Sequence, residues 1–559
     1  MLMYDICIIG SGAGGAPIAY ELARAGKKIL VLEKGPHYTE KDFFKDELAV
    51  SRRDIYTPPL NEEQHVVETQ DDNGKWQSVE AKNSDWNFWN GSMVGGSSNL
   101  MSGYFHRLKP NDFKMASVYG KIKGANVVDW VIDYKTLEPY YDKVEKVVGV
   151  SGKVVKHPFL EPRSSKDYPF KPTWEHPISS WFDFTCKHLG IHSIPTARAV
   201  LPYNALQRKG CSYSNFCGSY GCATGAKGNA RSALLDKAVK TGNCKILSES
   251  FVYKIDTNAK NVTKIYYYDK NRKPFFVRAK IFVLAAQPIE TARLLLNSKN
   301  SHFPKGLLNN FNQVGKNLIF SAGGSGEGQF TFANLPKEKR DVLLTRGAFV
   351  NRSLQDWYEY TKNGKKIKGG TIDFLFEHAN PTSRAMREVY DKDSNLVWGE
   401  ALQKKIQFAF MQSRKFTFEV FNDWLPTDDC FVSVDENVKD KWGLPVGKVR
   451  LNSHPRDIEV GEFLAQKAVK VLKDMGAVNV TSSISSAPPP NLVAGGCRFG
   501  NDEQNSVLDK NCKAHALDNF YITDASFMPT GGSVPYTWTI YANSFRVADV
   551  ILKRFNMLK

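Results

Sequence analysis

The first 33 residues carry the pattern that most constrains the fold of this chain. "YDICIIG" reads as a strand, "GSGAGG" as a glycine turn, "APIAYELARAG" as a helix with apolar spacing, and "KKILVLE" as a second strand. Gly10, Gly12 and Gly15 form G-x-G-x-x-G, whose glycines permit a tight turn, close approach of a pyrophosphate and close helix packing. Glu33 ends the second strand, where a carboxylate accepts hydrogen bonds from ribose hydroxyls. The pattern predicts a dinucleotide-binding βαβ unit without distinguishing FAD from NAD.

The composition is that of a globular protein with more than one structural unit, since 42% of the 559 residues are hydrophobic. No run reaches the roughly 18–20 apolar residues of a membrane span, and "MYDICIIG" has neither a basic region before it nor a cleavage site after it. We therefore expect no transmembrane segment and no signal peptide. That leaves a cytoplasmic location, or the periplasmic membrane face if a signal-bearing partner exports the chain.

The charge of the chain argues against nucleic-acid binding. The formal net charge is +17, but the basic residues are spread along the chain beside 58 acidic ones, and no nucleic-acid-binding module is visible. Diffuse positive charge is more typical of solubility or of attraction to anionic substrates and partners.

Further glycine-rich segments follow along nearly the whole chain. They are "NGSMVGGSSNLMSG" (90–103), "IFVLAAQPIETARLLLNS" (281–298), "VGKNL" (314–318) and "ITDASFMPTGG" (522–532). In this order they resemble the signatures of glucose–methanol–choline (GMC) oxidoreductases. The resemblance implies an α/β fold in which a discontinuous, Rossmann-like FAD-binding domain carries an inserted α+β substrate domain built on an antiparallel sheet. The expected divisions are 1–45, 85–125, 205–300 and 487–559 for FAD binding, 126–204 and 301–486 for substrate binding, and 46–84 as a surface insertion or lid.

The resemblance also implies a set of residues around FAD. They are Gly10, Gly12, Ala13, Gly14, Gly15, Glu33, Lys34, Gly91, Val94, Gly95, Gly96, Ser97, Ser98, Asn99, Val252, Ala286, Asp524, Ala525 and Thr537. Asp524 is expected to bond ribityl or phosphate-side groups, with a strand-end cap as its alternative role. Leu100 stands where some relatives have a flavin-linking His, so we expect non-covalent FAD.

The acid/base pair of the family is missing at the matching positions. Counting back from "GGCRFG", the position of the usual His is Leu492. In "PTGGSVPYTWTI" the partner position is Pro535, or Val534 after a one-residue slip. None of these side chains accepts a proton, although oxidation of an alcohol at a flavin needs a group that does.

Three interpretations of this gap stay open. A neighbouring residue substitutes for the pair, or the substrate needs no strong base or undergoes another flavin reaction, or the chain is a non-catalytic FAD subunit. For the first interpretation the candidates are Asn491 for orientation and Tyr536, His454 or another residue of the substrate domain as the base.

Two segments, "CGSYGCATGAKGNA" and "VSVDENVKDKWGLPVGKVRLNSHPRD", resemble the large flavoprotein subunits of gluconate and sugar dehydrogenases. The resemblance implies oxidation of a CH–OH group of a sugar, sugar acid or polyol, with hydride transfer to flavin N5 and electrons passed to a non-oxygen acceptor. A small companion subunit and a cytochrome are the partners it implies. The alternative is an FAD-binding electron-transfer or assembly subunit, or a flavoenzyme with non-alcohol chemistry.

Cys211, Cys217 and Cys222 lie within twelve residues. Their C-x5-C-x4-C spacing lacks paired C-x-x-C knuckles and a nearby His, which disfavours zinc. Relatives in the dehydrogenase subgroup carry a cysteine cluster here, so the resemblance implies a [3Fe–4S] centre. A disulfide between two of the three and plain packing stay open as alternatives.

Overall fold

Hydrophobic strands from both ends of the chain build one parallel sheet. The computed structural model describes residues 3–43, 57–71, 73–84, 86–88, 91–376, 381–391, 393–488 and 492–557. The strand order is Phe520–Ile522, Ala279–Leu284, Tyr4–Ile9, Ile29–Leu32 and Cys244–Leu247, and every pairing is parallel. Ile6, Cys7 and Ile8 have no solvent exposure, as expected for a parallel sheet buried on both faces. The predicted Rossmann-like sheet is confirmed.

Helices pack around this sheet and its neighbours. The α-helices span Ala16–Arg24, Met115–Tyr119, Tyr134–Val144, Ile178–His188, Asp236–Lys240, Pro288–Asn297, Lys337–Leu344, Pro381–Arg387, Gly399–Gln407, Pro455–Asp474 and Thr537–Met557. Shorter 3-10 or π turns span Ala81–Asn83, Gly96–Leu100, Pro110–Lys114, Glu145–Gly149, Arg231–Leu235, Phe332–Asn334, Phe408–Gln412 and Ala525–Phe527. The first helix packs against the last, where the rings of Tyr20 and Phe545 meet edge to face. Within the described ranges no helix combines the length and the apolar character needed to cross a bilayer.

A six-stranded antiparallel sheet forms the second wall of the molecule, and it is the sheet expected for the substrate domain. Its order is Val478–Ile484, Ser321–Thr331, Ser413–Asp423, Gly370–Phe376, Arg352–Leu354 and Ser193–Pro195. Phe416, Phe418 and Val420 alternate along the third of these strands and are buried in the core shared with helix Pro455–Asp474. The intervening side chains face the other side of the sheet, because side chains alternate along a strand.

The central strand Ser321–Thr331 is rich in glycine because its neighbours approach it closely. A Cβ on Gly324 would lie 2.1 Å from the Ser483 carbonyl oxygen, and one on Gly326 would lie 2.2 Å from the Phe418 ring. Larger side chains would push the flanking strands apart.

The remaining strands form four smaller sheets. They are the four-stranded set Phe431–Lys439, Pro445–Arg450, Val66–Gln70 and Trp76–Glu80, the meander Phe251–Thr257, Val262–Tyr268 and Pro274–Val277, the pair Glu359–Lys362 and Lys365–Lys368, and the pair Leu318–Ile319 and Ala494–Gly495. The meander lies within the stretch 245–283 whose alternation indicates strands.

The four-stranded sheet changes the expected division of the chain. Residues 46–84 were predicted to be a surface insertion or lid, and 44–56 lie outside the described residues. The rest of that segment supplies two strands, and Val66 pairs in parallel with Lys448 across the chain. Val432 and Val449 of the same sheet belong to the core around the parallel sheet, so this hairpin packs with the nucleotide-binding half although the sequence places it in the substrate domain.

We predict that a buried ion pair fastens this sheet to helix Pro288–Asn297. The Arg293 guanidinium bonds the Asp440 carboxylate, and the two side chains are 6% and 1% exposed. Replacing Asp440→Asn keeps the oxygen that accepts from the Trp442 and Leu444 N–H groups but leaves Glu290, 3.3 Å from the guanidinium, as the remaining counter-charge. We expect a loss of about 2 kcal/mol in the free energy of unfolding, read as a lower urea midpoint.

The control lies on the same hairpin. Glu436 pairs with Lys299 at 3.0 Å, but these side chains are 61% and 53% exposed. Glu436→Gln should change stability by no more than about 0.5 kcal/mol. Equal urea midpoints for the two variants would contradict the proposed role of the Arg293–Asp440 pair.

Candidate active site

One large cavity, of about 1060 Å³, is lined by both main sheets. The glycine turn after the first strand lines one end, and the strands Ser321–Thr331 and Ser413–Asp423 line the other. Its volume is at the upper end of the range of roughly 300–1,000 Å³ typical of ligand pockets. The space therefore suits a ligand of dinucleotide size together with a small substrate.

The three fingerprint glycines do what the spacing predicts. Gly10 has φ +91°, and a Cβ there would lie 2.2 Å from the Ala285 carbonyl oxygen. A Cβ on Gly15 would lie 2.1 Å from the Gly10 carbonyl oxygen, so this glycine permits close packing of the helix. Gly12 differs, since its nearest neighbour would be the Gly96 Cα at 3.9 Å. Its backbone therefore borders open space in the cavity, where a pyrophosphate can approach.

Glu33 connects the two glycine-rich segments through Ser11. Its carboxylate accepts hydrogen bonds from the Ser11 N–H at 3.0 Å, the Ser11 hydroxyl at 2.5 Å and the Gly35 N–H at 2.9 Å. The Ser11 Oγ in turn accepts from the Gly95 N–H at 2.9 Å. Burial raises the pKa of Glu33, and these hydrogen bonds oppose the rise. The carboxylate is thus fixed in orientation where it lines the cavity.

Lys34 lines the cavity beside Glu33, but its charge is engaged elsewhere. Its ammonium lies 2.9 Å from Glu63 and 4.0 Å from Glu290. Burial lowers the pKa of this ammonium, and the two carboxylates outweigh burial and raise the pKa above its usual value.

The second glycine segment divides into residues that line the cavity and residues that shape it. Gly91, Gly96, Ser97 and Ser98 line the cavity. The other predicted residues, Val94, Gly95 and Asn99, do not line it.

These three stand behind the wall of the cavity. The Val94 N–H donates to the Pro36 carbonyl at 2.9 Å. The Asn99 amide donates to the Val94 and Gly96 carbonyls at 3.0 and 2.9 Å, and Gly95 adopts φ +94°. Their expected cofactor contacts are therefore replaced by a role in holding the loop.

Asp524 is a saturated hydrogen-bond acceptor. Its carboxylate accepts from the Gln287 N–H at 3.1 Å, the Thr291 hydroxyl at 2.5 Å and the Ser526 N–H at 2.8 Å, and also from the Ser526 hydroxyl. Burial raises the pKa of Asp524, and these donors oppose the rise. The side chain caps the turn Ala525–Phe527, which was its alternative role, while the residue also lines the cavity.

Most of the other predicted cofactor residues line the same cavity. They are Gly10, Gly12, Ala13, Gly14, Val252, Ala286, Ala525 and Thr537. Leu100 lines it too and offers no nucleophile for a covalent link to the cofactor. Gly15 does not line it and acts through helix packing.

The far end of the cavity holds the positions of the missing acid/base pair. Leu492 and Pro535 both line it, and Leu492 adopts a left-handed φ of +57°. The Tyr536 hydroxyl lies here, buried and without a hydrogen-bond partner among the described residues. Burial, followed by the nearby Asp423 carboxyl, raises the pKa of Tyr536 well above its usual value. Tyr536 is therefore a hydrogen-bond donor at neutral pH rather than a base.

The other two catalytic candidates do not lie at this end. His454 begins helix Pro455–Asp474, where its Nδ1 accepts from the Arg456 N–H at 3.1 Å and its Nε2 lies 2.9 Å from the Lys123 carbonyl oxygen. Both ring nitrogens are engaged outside the cavity, so His454 is a helix cap and its prediction as the base is wrong. Asn491 lies outside the described residues.

Several residues that line the cavity were not predicted from the sequence. Ser11 could have been found, because it stands inside the glycine fingerprint. Tyr104, Ser321 and Glu419 line the cavity without a motif of their own. The alternation of hydrophobic residues places Glu419 on one face of its strand. Only the packed structure shows that this face lies against the cofactor-binding half of the molecule.

The three clustered cysteines line a separate small cavity of about 30 Å³. The Cys222 sulfur accepts from the Lys227 N–H at 3.5 Å, and the Lys227 ammonium donates to the carbonyls of Asn99, Cys217 and Tyr220. Burial acts to raise the pKa of Cys222, but Lys227 and the N–H donors outweigh it and lower the pKa. No disulfide joins the three in this structure.

The donors of this pocket suit an iron–sulfur centre, whereas its volume does not. A space of 30 Å³ corresponds to about one water molecule. Among the described residues the trio close enough to share one metal ion is His157, His192 and Asp356, and the cysteines are not such a trio. The predicted [3Fe–4S] centre therefore gains no support from this pocket.

Family models match three parts of the chain. Residues 173–321 and 426–544 match two models described as GMC oxidoreductase, and residues 8–39 match an NAD(P)-binding Rossmann-like domain. The last match covers the predicted βαβ unit, and the other two include segments from both main sheets.

Relatives match almost the whole chain. The 2-methyl-1,2-propanediol dehydrogenase of Mycolicibacterium austroafricanum is 27% identical over 99% of this chain and 96% of its own. The fructose dehydrogenase large subunit of Gluconobacter japonicus is 27% identical over 99% of this chain and 98% of its own. Pyridoxine 4-oxidase from Mesorbium loti superposes with a TM-score of 0.60 at 17% identity, covering 98% of this chain and 99% of that one, which supports the fold.

Two glycine substitutions should separate folding from cofactor binding. In Gly15→Ala the new Cβ meets backbone at 2.1 Å, so we expect a lower unfolding midpoint even without cofactor. In Gly12→Ala the nearest atom to the Cβ outside the adjoining residues is the Gly96 Cα at 3.9 Å, so we expect near-normal stability of the apoprotein but at least about tenfold weaker FAD binding. Urea unfolding of the apoprotein and flavin titration give the two readings, and normal stability of Gly15→Ala would contradict the packing role.

The thiols of the small pocket should differ in reactivity. Burial raises the pKa of Cys211 to about 12, whereas the pKa of Cys222 is lowered, and the thiolate is the reactive form. We expect iodoacetamide at neutral pH to modify Cys222 before Cys211, as measured by peptide mass spectrometry over time. Cys211 is the matched control because it lines the same cavity, and equal rates would show that Lys227 does not activate Cys222.

Proposed function

Because the chain belongs to the GMC oxidoreductase family, we propose that it is an FAD-dependent dehydrogenase that oxidises a CH–OH group of a sugar, sugar acid or polyol and passes the electrons to an acceptor other than oxygen. Two relatives that span the chain are named as dehydrogenases, one of 2-methyl-1,2-propanediol and one of fructose. These names support hydroxylated substrates and a dehydrogenase activity.

The observation that carries the proposal is the continuity of the cavity. A cradle of backbone suited to a dinucleotide lies at one end, and unpaired polar side chains lie at the other. The hydroxyls of Tyr536 and Ser321 are buried there without partners among the described residues. Because buried polar groups normally have hydrogen-bond partners, they favour a substrate that carries several hydroxyl groups.

The residues present suit FAD. Gly10 permits the tight turn, Gly12 leaves room for a pyrophosphate at the start of helix Ala16–Arg24, and Glu33 is held where ribose hydroxyls can donate to it. Leu100 has no group that could bond covalently to the flavin, which supports non-covalent binding. When bound, FAD supplies the electron acceptor for hydride from the carbinol carbon.

Tyr536 is the residue of this chain best placed to orient the substrate. Its raised pKa keeps the hydroxyl protonated, so it donates a hydrogen bond to a substrate oxygen. Leu492 and Pro535 border the same space with apolar surface and exchange no proton. Proton transfer therefore needs another group, while Tyr536 holds one of the substrate oxygens by a hydrogen bond.

The route of the electrons is part of the proposal. The three-thiol pocket has room for about one water, so we assign no electron transfer to it. Transfer from reduced FAD to a separate partner is favoured instead. One relative is named as a large subunit, which supports a smaller companion subunit, and a cytochrome as the electron acceptor is part of the proposal.

Anaerobic titration tests the function directly. We expect the purified protein to be yellow and its flavin absorbance to bleach when a sugar, sugar acid or polyol is added without oxygen. Reoxidation by an artificial acceptor such as a quinone should be faster than reoxidation by air. A flavin that no alcohol bleaches would instead favour the alternative function, an electron-transfer or assembly subunit.

Replacement of Tyr536 tests the orienting role. Tyr536→Phe should retain FAD and slow flavin reduction about tenfold, because one hydrogen bond to the substrate is worth about 1–1.5 kcal/mol. Tyr140→Phe is the control, since the Tyr140 hydroxyl bonds Asp549 at 3.1 Å outside the cavity. Equal rates of flavin reduction by substrate in the two variants would remove Tyr536 from the mechanism.

A further inference from the structure

Oxidation of an alcohol requires a proton acceptor, and the residues considered so far do not supply one. Leu492 and Pro535 are apolar, His454 caps a helix outside the cavity, and Tyr536 is held in its protonated form. The acceptor must therefore come from other side chains that line the cavity.

Four carboxylates line the cavity in the described part of the chain. Glu33 accepts three hydrogen bonds and Asp524 four. Glu290 accepts from Arg293 at 3.3 Å and lies 4.0 Å from the Lys34 ammonium. The fourth is Glu419, whose carboxylate has no hydrogen bond and no ion pair among the described residues.

The strand that carries Glu419 fixes the direction of its side chain. Phe418 and Val420, on either side, are buried in the core with helix Pro455–Asp474. Glu419 therefore points to the opposite face, which is the face that lines the cavity. Ser325 and Asp373 are its register partners on the two flanking strands. Pairing on both edges gives Glu419 a rigid backbone, in contrast to a position in a loop.

The charges around Glu419 come from several elements. On one flanking strand Asp373 is fully buried, bonded to His106 Nε2 at 3.1 Å and by the Ser353 hydroxyl. From a third segment, the Arg198 guanidinium lies 4.5 Å above the Tyr104 ring centroid and donates to the Asn351 side chain and to the Ser102 carbonyl.

The other charged side chains near Glu419 lie further along its own strand and a flanking strand. On the other flanking strand, Glu327 pairs with Lys415 at 2.6 Å, two residues beyond Ser325. On its own strand the next acid is Asp423, which bonds Ser533. Arg198 is thus the cation that faces Glu419, and its guanidinium already has other partners.

This environment adjusts the proton affinity of Glu419. Burial is the largest influence and raises its pKa, Asp373 raises it further and Arg198 lowers it, to a net value of about 7. A carboxylate with such a pKa accepts a proton as readily at neutral pH as an imidazole does.

We propose that Glu419 is the catalytic base that removes the hydroxyl proton of the substrate, replacing the acid/base pair lost at Leu492 and Pro535. The inference rests on the proposed function, since only an alcohol presents that proton. The substrate O–H bond breaks and its proton passes to a Glu419 carboxylate oxygen, while the carbinol C–H bond breaks and its electron pair leaves as hydride. The alcohol is thereby oxidised by two electrons to a carbonyl, and bound FAD would supply the acceptor for both electrons. Glu419 is partly exposed, so its proton can return to solvent before the next turnover.

The experiment compares Glu419→Gln with the wild-type protein. In the wild type, kcat/KM should rise about tenfold per pH unit below pH 7 and level off above it, because only ionised Glu419 accepts the proton. Glu419→Gln should retain FAD, react at least about 100-fold more slowly above pH 7 and lose the acidic limb. Glu419→Asp should keep the limb at a reduced rate.

The control and a second measurement separate this role from a structural one. Glu327→Gln changes a neighbouring strand of the same sheet outside the cavity, and its pH profile should match the wild type. Infrared difference titration of the resting protein without substrate should show a carboxyl group with a midpoint near pH 7 that is missing in Glu419→Gln.

The outcomes that overturn the inference are distinct. If the wild type is bleached by an alcohol and Glu419→Gln keeps both its rate and its acidic limb, Glu419 is not the base although the proposed function stands. The absence of the infrared midpoint near pH 7 would also overturn it. If no alcohol bleaches the wild type, the proposed function fails and the inference fails with it.

Discussion

The hydrogen bonds that join Glu33, Ser11 and Gly95 fix the geometry on which the cavity depends. Ser11 belongs to the first glycine turn, Glu33 ends the second strand, and Gly95 lies 84 residues from Ser11 in the second glycine segment. These three residues come together because the segments that carry them converge at the carboxyl edge of the parallel sheet. Because the Ser11 hydroxyl both donates to Glu33 and accepts from Gly95, a change at any one of them moves the other two.

The two walls of the cavity contribute different chemistry. The parallel sheet and its loops present backbone and small residues, since Gly12 leaves room that a side chain would fill. The antiparallel sheet presents side chains such as Glu419 and Phe421, which lie on one face of strand Ser413–Asp423. Under the proposed function, the backbone of one wall would hold the cofactor and the side chains of the other would contact the substrate.

Much of the nucleotide-binding half could be predicted from the sequence. The glycines and Glu33 act through local geometry, which spacing specifies. The close backbone contacts of Gly10 and Gly15 and the position of Glu33 at the cavity agree with that geometry, while cofactor binding by these residues stays a prediction. Val94 and Asn99 were misplaced because a motif identifies a loop but not which of its side chains turn inward. His454 was misplaced for a related reason, since the same "SHPRD" reads equally well as a helix cap and as a catalytic loop.

The four-stranded sheet and the substrate end depend on contacts between distant segments. The parallel pairing of Val66 with Lys448 joins residues more than 380 positions apart, and no local pattern specifies it. In the sequence, Glu419 is one acidic residue in a strand pattern of alternating hydrophobic residues, and that pattern does not distinguish it from other acids. Its surroundings, with Asp373 on one neighbouring strand and Arg198 from a third segment, exist only after the sheet has formed.

The absence of the usual acid/base pair is compatible with the placement of Glu419 on a paired strand. The positions of Leu492 and Pro535 lie on irregular backbone, where Leu492 takes φ +57°, so a base there would depend on the loop for its orientation. A base on a strand paired at both edges is oriented by the sheet itself. A carboxylate, however, is a useful base near neutral pH only when its pKa is raised from its usual range. Burial beside Asp373 raises it in this cavity, and Arg198 keeps the ionised form accessible. The substrate end therefore retains a group able to accept the hydroxyl proton although neither position of the usual pair carries one.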